Sequence, residues 1–594
     1  YDPDRDAPGK TNSKWGGFFP DVPIDLAKLG IPPSSAQHMS TSNLLCLEAA
    51  RLALADAGYE SRPFDRENTA VILANADGGG HLGHALIVRS LLGLFDPDTD
   101  PEVFERMPPI KEESLPGTLT NVVAGRISNR MDLGGPNFTV DAACASSLAT
   151  IDLAARELNS KRSNVVLAGA SEIVMGPPAY VAFSKVGALS GTGTVKPFDQ
   201  SADGIALSDG IVFLVLKRLS DAERDGDRIY SVIKGVGGSS DGKALGMTAP
   251  RPLGQKRALR RAYANAGYSP STIGFYEAHA TGTPVGDTAE LETIIESLQS
   301  EGAGPDSCVI SSSKGVLGHS RTSAGMAALV KSILALHYKV LPPLSSVSKP
   351  LPGLDDPTTP VNVRRTPHPW IHTGPDPRRA GVSAFGFGGT NFHVALEEYT
   401  RDPIERSPGG SRWPAEVVLV HGRDDAELKT TAERWLSAIA ADPSIPLADI
   451  AFTTSLGNCA QGFAAVVSSK DDLLNCLREI ASKGSAADHR HLVQRKSRAD
   501  SSGKIAFLFP GQASQNIDMA GEATLYLKPL RDILEDADRI SASYETGPIS
   551  RYIYPPTAFS PERLRDQRNR LAQTEIAQPA IGAISIGLLN LMEQ

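Results

Sequence analysis

The chain has 594 residues, a formal net charge of −9 and a pI near 5.8, and 41% of its residues are hydrophobic. A chain of this length is too long to fold around a single hydrophobic core, so we predict two to four domains. Its acidic balance, without a long basic run, argues against nucleic acid or an anionic membrane surface as a main partner.

The cysteines and the apolar runs indicate where such a chain works. It has five cysteines and no Cys-x-x-Cys pair, and an odd number of thiols favours a reducing cytoplasm over a disulfide framework. No signal peptide and no uninterrupted apolar run of about 20 residues is visible, so we predict no membrane span. The first residue is Tyr1 rather than Met, and we expect the sequence to begin inside a longer protein.

Helix and strand signals alternate over about the first 400 residues. Residues 43–58 have helical apolar spacing and end at a glycine, and 69–75 form a short β-rich run. Residues 146–158 predict a second helix, and 164–175 predict a buried strand. Alternation of this kind predicts an α/β architecture with covered sheets.

Two polar stretches, 401–414 and 496–504, interrupt this pattern with the composition of linkers. A small α/β pattern lies between them, and the apolar run IAFLF follows the second. The sequence therefore predicts three regions, namely 1–400, 401–500 and 501–594.

Cys144 lies in the stretch TVDAACASSL, between a strand-like run and a helix. A lone cysteine is usually a buried packing residue. The small residues on both sides, however, permit a tight turn that would lift Cys144 to the start of the helix. There the helix dipole should lower the pKa of the thiol. The residues alone leave both interpretations open.

Two histidines occupy similar places, since each follows a predicted strand. His279 stands in EAHATGTPVGD, and His319 stands with Lys314 in KGVLGH. A single histidine in a loop is usually structural. Because active-site residues of α/β folds gather at the carboxyl ends of strands, Cys144 and both histidines could converge on one cleft.

Four motifs in order make a resemblance specific: TVDAACASS, EAHATGTPVGD, KGVLGH and GVSAFGFGGTNFHVALEE. Together they resemble the β-ketoacyl synthase domain of a type I polyketide synthase, from Tyr1 to about Glu398. The resemblance implies a thiolase-like fold of five layers (α-β-α-β-α), without its opening strand here, and a homodimer. The synthases of enediynes and polyunsaturated fatty acids, which act iteratively, are mildly similar.

The resemblance also implies roles for the residues that match. Cys144 would carry the acyl chain as a thioester. His279 and His319 would bind the malonyl thioester, assist loss of CO2 and stabilise the enolate, with Lys314 supporting His319. The reaction would be a decarboxylative Claisen condensation, catalysed by an acyltransferase-class enzyme.

Further residues would serve the substrates. The backbone N–H groups of Cys144 and Phe387 would form the oxyanion hole. Thr281 and Thr283 would bind the phosphopantetheine arm of an acyl carrier protein, which delivers malonyl and acyl thioesters. No other cofactor and no metal is implied.

The sequence departs from the family at three points. Ala280 stands where glycine is usual, KGVLGH replaces KSNIGH, and 38–47 lack the usual DPQQR-like stretch. These changes leave the chemical residues intact, and they leave subfamily and substrate open.

The last region resembles a different family. KIAFLFPGQASQ (504–515) predicts a strand and a turn, and it resembles the start of a malonyl-type acyltransferase, in which Gln512 would lend an oxyanion-hole N–H. Residues 573–594 resemble the helix before that family's serine, and 415–495 resemble its linker to the ketosynthase. The serine and histidine do not occur here, so we expect an incomplete acyltransferase.

Two alternatives remain open at this point. A thiolase or a chalcone-synthase-like enzyme would share the fold but use a Cys–His–Cys or Cys–His–Asn site. A catalytically silent scaffold could instead dock carrier proteins, although it would have no reason to keep the cysteine and both histidines. Release of CO2 from a malonyl carrier protein separates the ketosynthase from both.

Overall fold

The computed structural model describes residues 1–76, 80–112, 114–173, 176–243, 246, 249–401, 413–457, 461–495 and 506–593. Cys459 and most residues of the two predicted linkers lie outside the described residues. The chain divides into a larger unit (Tyr1–Asp402, Asn516–Asp518 and Ser550–Gln573) and a smaller unit (Pro403–Gln515, Met519–Ile549 and Thr574–Gln594).

This division differs from the three predicted regions in one respect. Residues 501–594 do not form a compact unit of their own, because Ser550–Gln573 belong to the larger unit and most of the rest to the smaller one. Within the larger unit, the Arg364 guanidinium donates to the carbonyl oxygens of Tyr554 and Pro555, and Arg563 pairs with Asp355. Chain order therefore does not give the boundaries of the units.

The larger unit contains two mixed sheets. The strands of the first are β1 (Thr69–Asn75), β2 (Asn137–Val140), β3 (Val165–Glu172) and β4 (Gly210–Lys217). They lie in the order β2-β1-β3-β4, in which only β4 is antiparallel to its neighbour.

The strands of the second sheet are β5 (Val232–Ser240), β6 (Phe275–Glu277), β7 (Cys308–Ser311), β8 (Val361–Asn362), β9 (Arg379–Gly386) and β10 (Thr390–Glu397). They lie in the order β8-β7-β6-β9-β10-β5, and β8, β7, β6 and β9 run parallel. Two-residue strands pair Gly16–Gly17 with Leu207–Ser208 and Val340–Leu341 with His368–Pro369.

Helices cover both sheets and fill the space between them. The long ones that pack on the sheets are α1 (Thr41–Asp56), α2 (Thr120–Met131), α3 (Ser146–Asn159), α4 (Pro252–Ala266), α5 (Pro284–Gln299) and α6 (Ala324–Tyr338). The remaining helices are Pro33–Ala36, Gly80–Phe95, Pro101–Glu105, Ser114–Thr118, Pro177–Val186, Leu219–Asp225, Lys314–Leu317, Ser550–Ile553 and Pro561–Leu571.

The alternation of side chains along the strands builds five layers. In β1, Ile72 points to a core that α3 and α6 share with both sheets, whereas Leu73 points to the outer core under α1 and α2. In β6, Phe275 joins the shared core and Tyr276 joins the outer core under α4 and α5. The layers are therefore α-β-α-β-α, with α3 and α6 in the middle.

The elements of the smaller unit are β11 (Glu416–Gly422), α7 (Asp425–Ala441), α8 (Leu447–Ser455), β12 (Gln461–Val467), α9 (Lys470–Lys483), β13 (Leu492–Arg495), α10 (Gly521–Tyr526), α11 (Lys528–Ser541) and α12 (Thr574–Glu593). Its strands form an antiparallel sheet with the order β11-β12-β13, which packs against helices.

The prediction of a strand in IAFLF is wrong for the residues of this run that the structure describes. Residues 506–510 form neither helix nor strand, and the Leu508 side chain is 94% exposed. A strand needs a neighbour that pairs with its backbone, and the sheet β11-β12-β13 does not include these residues.

One described helix, α12, is long and apolar enough to cross a membrane by length and composition. Of the apolar segment of this helix, 39% is buried, and Gly587 faces the Leu530 side chain of α11. Core helices of globular proteins pass the same test, so this helix is weak evidence for a membrane span.

Candidate active site

The parallel strands of the second sheet bring several predicted residues to one edge. His279 follows β6, Lys314 and His319 follow β7, and Phe387 follows β9. These strands are neighbours in the order β7-β6-β9, so their carboxyl ends lie side by side. Cys144 joins them from the first sheet, because its turn packs against the end of β9, where a Cβ at Gly386 would lie 3.3 Å from the Cys144 nitrogen.

The turn that carries Cys144 is tight, as its small residues predict. Residues Ala143–Ala145 form one turn of 3₁₀ helix before α3, and Ala143 has a left-handed φ of 51°. The Asp141 carboxylate accepts from the Ala143 N–H (2.9 Å), and the Ser146 hydroxyl donates to the Ala143 carbonyl (2.6 Å). These bonds hold a backbone conformation that is costly for residues other than glycine.

Gly386 allows the second sheet to approach this turn. A Cβ atom at Gly386 would lie 2.6 Å from the Ala142 carbonyl oxygen and 3.3 Å from the Cys144 nitrogen. The glycine therefore lets the end of β9 lie directly against the backbone of the turn.

Two expectations about Cys144 are wrong. Its side chain is 8% exposed rather than lifted clear of the surface. Burial raises the pKa of the thiol to about 11, although the positive charges of Arg321 and Lys314 oppose that rise. The cost of burying a thiolate thus exceeds the help from the helix dipole and the nearby cations.

His319 is buried and has a defined tautomer. The Arg321 backbone N–H donates to its Nδ1 (3.1 Å), so Nε2 carries the proton when the ring is neutral. Burial, with the charges of Lys314 and Arg321, holds the pKa of His319 well below its usual range. The ring is therefore a neutral N–H donor at physiological pH.

His279 lies next to it. The two imidazole rings are 5.7 Å apart in an edge-on arrangement, and Phe385 contacts His279 from another side. Burial, Lys314 and His319 hold the pKa of His279 well below its usual range, and its Nδ1 is buried without a hydrogen bond. The site thus presents two neutral imidazoles, one of them with a free ring nitrogen.

Lys314 is 2% exposed, and its Nζ makes no hydrogen bond. Burial lowers the pKa of the ammonium, whereas the charges of Glu277 and Glu290 raise it. The sequence interpretation named the lysine but not these acids.

Asp287 and Glu290, on α5, are further residues that the sequence interpretation missed. The Glu290 carboxylate accepts from the backbone N–H groups of His279 and Ala280 (2.8 and 2.7 Å), and Asp287 accepts from Thr281 and Gly282. Burial raises the pKa of Asp287 to about 6 and also raises that of Glu290. Their signal was a pair of acids three residues apart, in the first turns of the helix after the histidine motif.

The other predicted residues lie in two places. Thr281 and Thr283 follow His279, with their hydroxyl oxygens 3.0 Å apart. Gln512 belongs to the smaller unit, is exposed, and donates to the Thr574 hydroxyl (3.2 Å). In the part of the chain that the structure describes, no group of three or more His, Cys, Asp and Glu could hold a metal ion.

Two family models match the larger unit. The model of the β-ketoacyl synthase N-terminal domain matches residues 1–222, and that of the C-terminal domain matches 230–348. Among solved structures, the ketosynthase from module 6 of the Bacillus subtilis bacillaene synthase is 28% identical with a TM-score of 0.58, covering 83% of this chain and 79% of its own. An oxazolomycin ketosynthase domain from Streptomyces albus gives 28% and 0.59, with 83% and 81% covered.

Curated relatives are long synthases. One component of a polyunsaturated fatty acid synthase from Thraustochytrium sp. is 31% identical over all of this chain and 22% of its own length. The polyketide synthase GfsB from Streptomyces halstedii is 33% identical over all of this chain and 10% of its own. The chain therefore spans about a tenth to a fifth of the length of these two relatives.

Proposed function

The chain belongs to the β-ketoacyl synthase family, and on that premise we propose that its larger unit joins an acyl group on Cys144 to a malonyl-type unit held by an acyl carrier protein. It is a ketosynthase domain of the polyketide synthase type, a condensing enzyme of the acyltransferase class, as its motifs predict. The predicted thiolase-like fold is also confirmed. The substrates, partners and residue roles that follow are proposals.

The first step is acyl transfer to Cys144. The thiol loses its proton, and the thiolate attacks the carbonyl carbon of an incoming acyl thioester. A C–S bond to Cys144 forms, the C–S bond to the carrier breaks, and the carrier thiolate takes up a proton. The proposed oxyanion hole consists of the N–H groups of Cys144 and Phe387, and the close approach of Gly386 to the Cys144 nitrogen supports it.

The second step is loss of CO2 from the malonyl thioester. As the C–C bond to the carboxylate breaks, negative charge develops on the thioester oxygen. His319 can donate from Nε2, because the Arg321 N–H occupies Nδ1. His279 lies beside it as the second neutral donor. A neutral imidazole N–H stabilises the enolate oxygen by a hydrogen bond, without transferring its proton.

The enolate carbon then attacks the acyl carbonyl on Cys144. A C–C bond forms, the C–S bond to Cys144 breaks, and the thiolate takes up a proton. The products are a β-ketoacyl thioester on the carrier, CO2 and the free thiol. Burial and then the charge of Lys314 keep both histidines neutral, with Glu277 and Glu290 balancing the lysine charge in the protein interior.

The setting of the reaction is also part of the proposal. Thr281 and Thr283 present hydroxyls that can bind the phosphopantetheine arm, next to His279. A homodimer accords with the family, and a cytoplasmic location accords with the four described cysteines, none of which forms a disulfide. The acyltransferase role of residues 501–594, including Gln512, stays a prediction from resemblance.

The pairing of the buried His279 and His319 rings, beside the strand end that lies against the Cys144 turn, supports this function most strongly, and intact mass spectrometry tests it. Incubation with an acyl thioester should add one acyl group to the wild type and none to Cys144→Ala. The matched control Cys476→Ala removes a buried cysteine of the smaller unit and should keep the adduct. Malonyl carrier protein should then release CO2.

The absence of an acyl adduct on folded wild-type protein would favour the catalytically silent scaffold. An adduct that persists in Cys144→Ala would place the nucleophile elsewhere. An adduct without CO2 release would favour a thiolase-type enzyme.

A further inference from the structure

An ion pair that the mechanism does not use lies beside Cys144. Arg321 Nη1 is 3.5 Å from Glu172 Oε1, and the Glu172 side chain is 3% exposed. Glu172 is the last residue of β3, and Arg321 begins the turn Arg321–Ser323, which packs against the turn at Cys144. The pair therefore brings one charge of each sign to the wall of the site.

Several contacts hold Arg321 in one place. Its backbone has a left-handed φ of 43°, and its N–H donates to His319. Its guanidinium carbon lies 5.6 Å from the centre of the Phe183 ring, which is close enough for a cation–π contact. The Phe183 ring in turn lies 6.3 Å from that of Phe387.

Glu172 is held as firmly. Its Oε2 accepts from the Thr322 hydroxyl (2.8 Å) and from the Thr322 N–H (3.4 Å), so the residue after Arg321 is fixed to the same carboxylate. The carboxylate cannot turn away from Arg321 without breaking these bonds. The separation of the two charges is therefore set by the fold.

We propose that Arg321 is a positioning residue for acyl transfer, whose guanidinium, held between Glu172 and the Phe183 ring, stabilises the Cys144 thiolate, while Glu172 limits that stabilisation. When the thiol gives up its proton, negative charge appears on sulfur beside the fixed cation. The sulfur loses this negative charge when it forms its bond to the acyl carbon, and the carrier thiol departs with a proton. The inference rests on the proposed acyl transfer, but the state of the thiol can be measured without it.

The charges around the thiol agree with this role. Arg321 and Lys314 lower the pKa of Cys144 against burial, and Glu172 raises it. His279 and His319 face the same site and are neutral, so they do not screen these charges. Arg321 is thus one of two cations that favour the thiolate.

The test is the rate of Cys144 alkylation by iodoacetamide between pH 7 and 10, where the rate follows the thiolate fraction, so that the displacement of the profile along the pH axis gives the shift of its midpoint. Arg321→Gln should move the midpoint of the pH profile upwards by about one unit, since a neighbouring charge shifts a pKa by at least that much. Glu172→Gln should move the midpoint downwards, and Arg321→Lys, which keeps the charge, should stay near the wild type. A purely structural role would not give shifts of opposite sign.

The matched control is Arg162→Gln, which breaks another Arg–Glu pair, with Glu157 at the far end of α3. Its midpoint should equal that of the wild type. Superimposed profiles for Arg321→Gln and the wild type, or an equal shift in Arg162→Gln, would overturn the proposal.

Circular dichroism shows which variants fold. If Arg321→Gln does not fold, Glu172→Gln and Arg321→Lys decide, because an upward shift in either contradicts the proposal. Acyl loading of Cys144 is measured separately. Normal alkylation shifts without any acyl adduct would retain the charge coupling and refute the proposed function instead.

Discussion

The turn at Cys144 in the larger unit and residues 506–512 in the smaller unit follow the same local pattern, an apolar run that leads into small or turn-forming residues. At Cys144 the pattern becomes a buried turn, with β9 placed against it through Gly386. Residues 506–512 belong to no strand, and a Cβ at Gly511 would have no other residue's atom within 4 Å beyond its chain neighbours. A motif therefore becomes a site only where other elements supply its hydrogen bonds and its cover.

The largest expected effect is the loss of a donor from the buried site. His319→Gln should slow CO2 release from malonyl carrier protein by about 100- to 1000-fold, as removal of a preorganised donor does. His489→Gln, in the smaller unit, should leave that rate unchanged. Equal rates for His319→Gln and the wild type would contradict the role of His319 and the contrast between the units.

Core truncation should distinguish the two regions by stability. Leu148 is fully buried in the core shared by α3 and α6, so Leu148→Ala should lower the free energy of unfolding by about 3 kcal/mol. Leu508→Ala, at a side chain that is 94% exposed, should change it by less than about 0.5 kcal/mol. Denaturant unfolding measures both, and similar losses would show that residues 506–509 are packed in solution.

The two glycines give the most direct comparison. Gly386→Ala should lower the free energy of unfolding by about 2 kcal/mol and weaken acyl loading of Cys144, because the new Cβ would clash with the Ala142 carbonyl. Gly511→Ala should change neither quantity. Chemical denaturation and intact mass spectrometry check this, and a harmless Gly386→Ala would mean that β9 does not press on the turn.

The last of the expected effects is a dependence of stability on pH. His279, His319 and His393 have depressed pKa values through burial, that of His393 falling to about 3. Below pH 6.5 the unfolded chain binds protons at these histidines and the folded protein does not, so each should lower the free energy of unfolding progressively as the pH falls. Above pH 6.5 both states are neutral and the effect vanishes.

Hydrogen exchange between pH 7 and 5 measures it, with loss of protection in β10, where His393 lies, expected as the pH falls. Constant protection there would contradict the burial of these histidines as neutral rings.

Part of the fold was readable from local pattern. The strand Thr69–Asn75 and the helix Ser146–Asn159 fall where periodicity predicts them, because one core on each face of a sheet leaves a regular record in the sequence. The Cys144 turn was readable for the same reason, since its small residues report how close the backbones must come. The division into units was not readable, because Ser550–Gln573 contacts residues some 190 positions away.

By itself the sequence determined the family and the identities of the chemical groups, because Cys144, His279, His319 and Lys314 stand in motifs whose order survives without a structure. Tertiary structure alone decided their states. Burial raises the pKa of the Cys144 thiol, the Arg321 N–H selects the His319 tautomer, and Asp287 and Glu290 hold the His279 loop. The physical reason is that desolvation and hydrogen bonding depend on atoms brought together from distant parts of the chain, and no local pattern records those atoms.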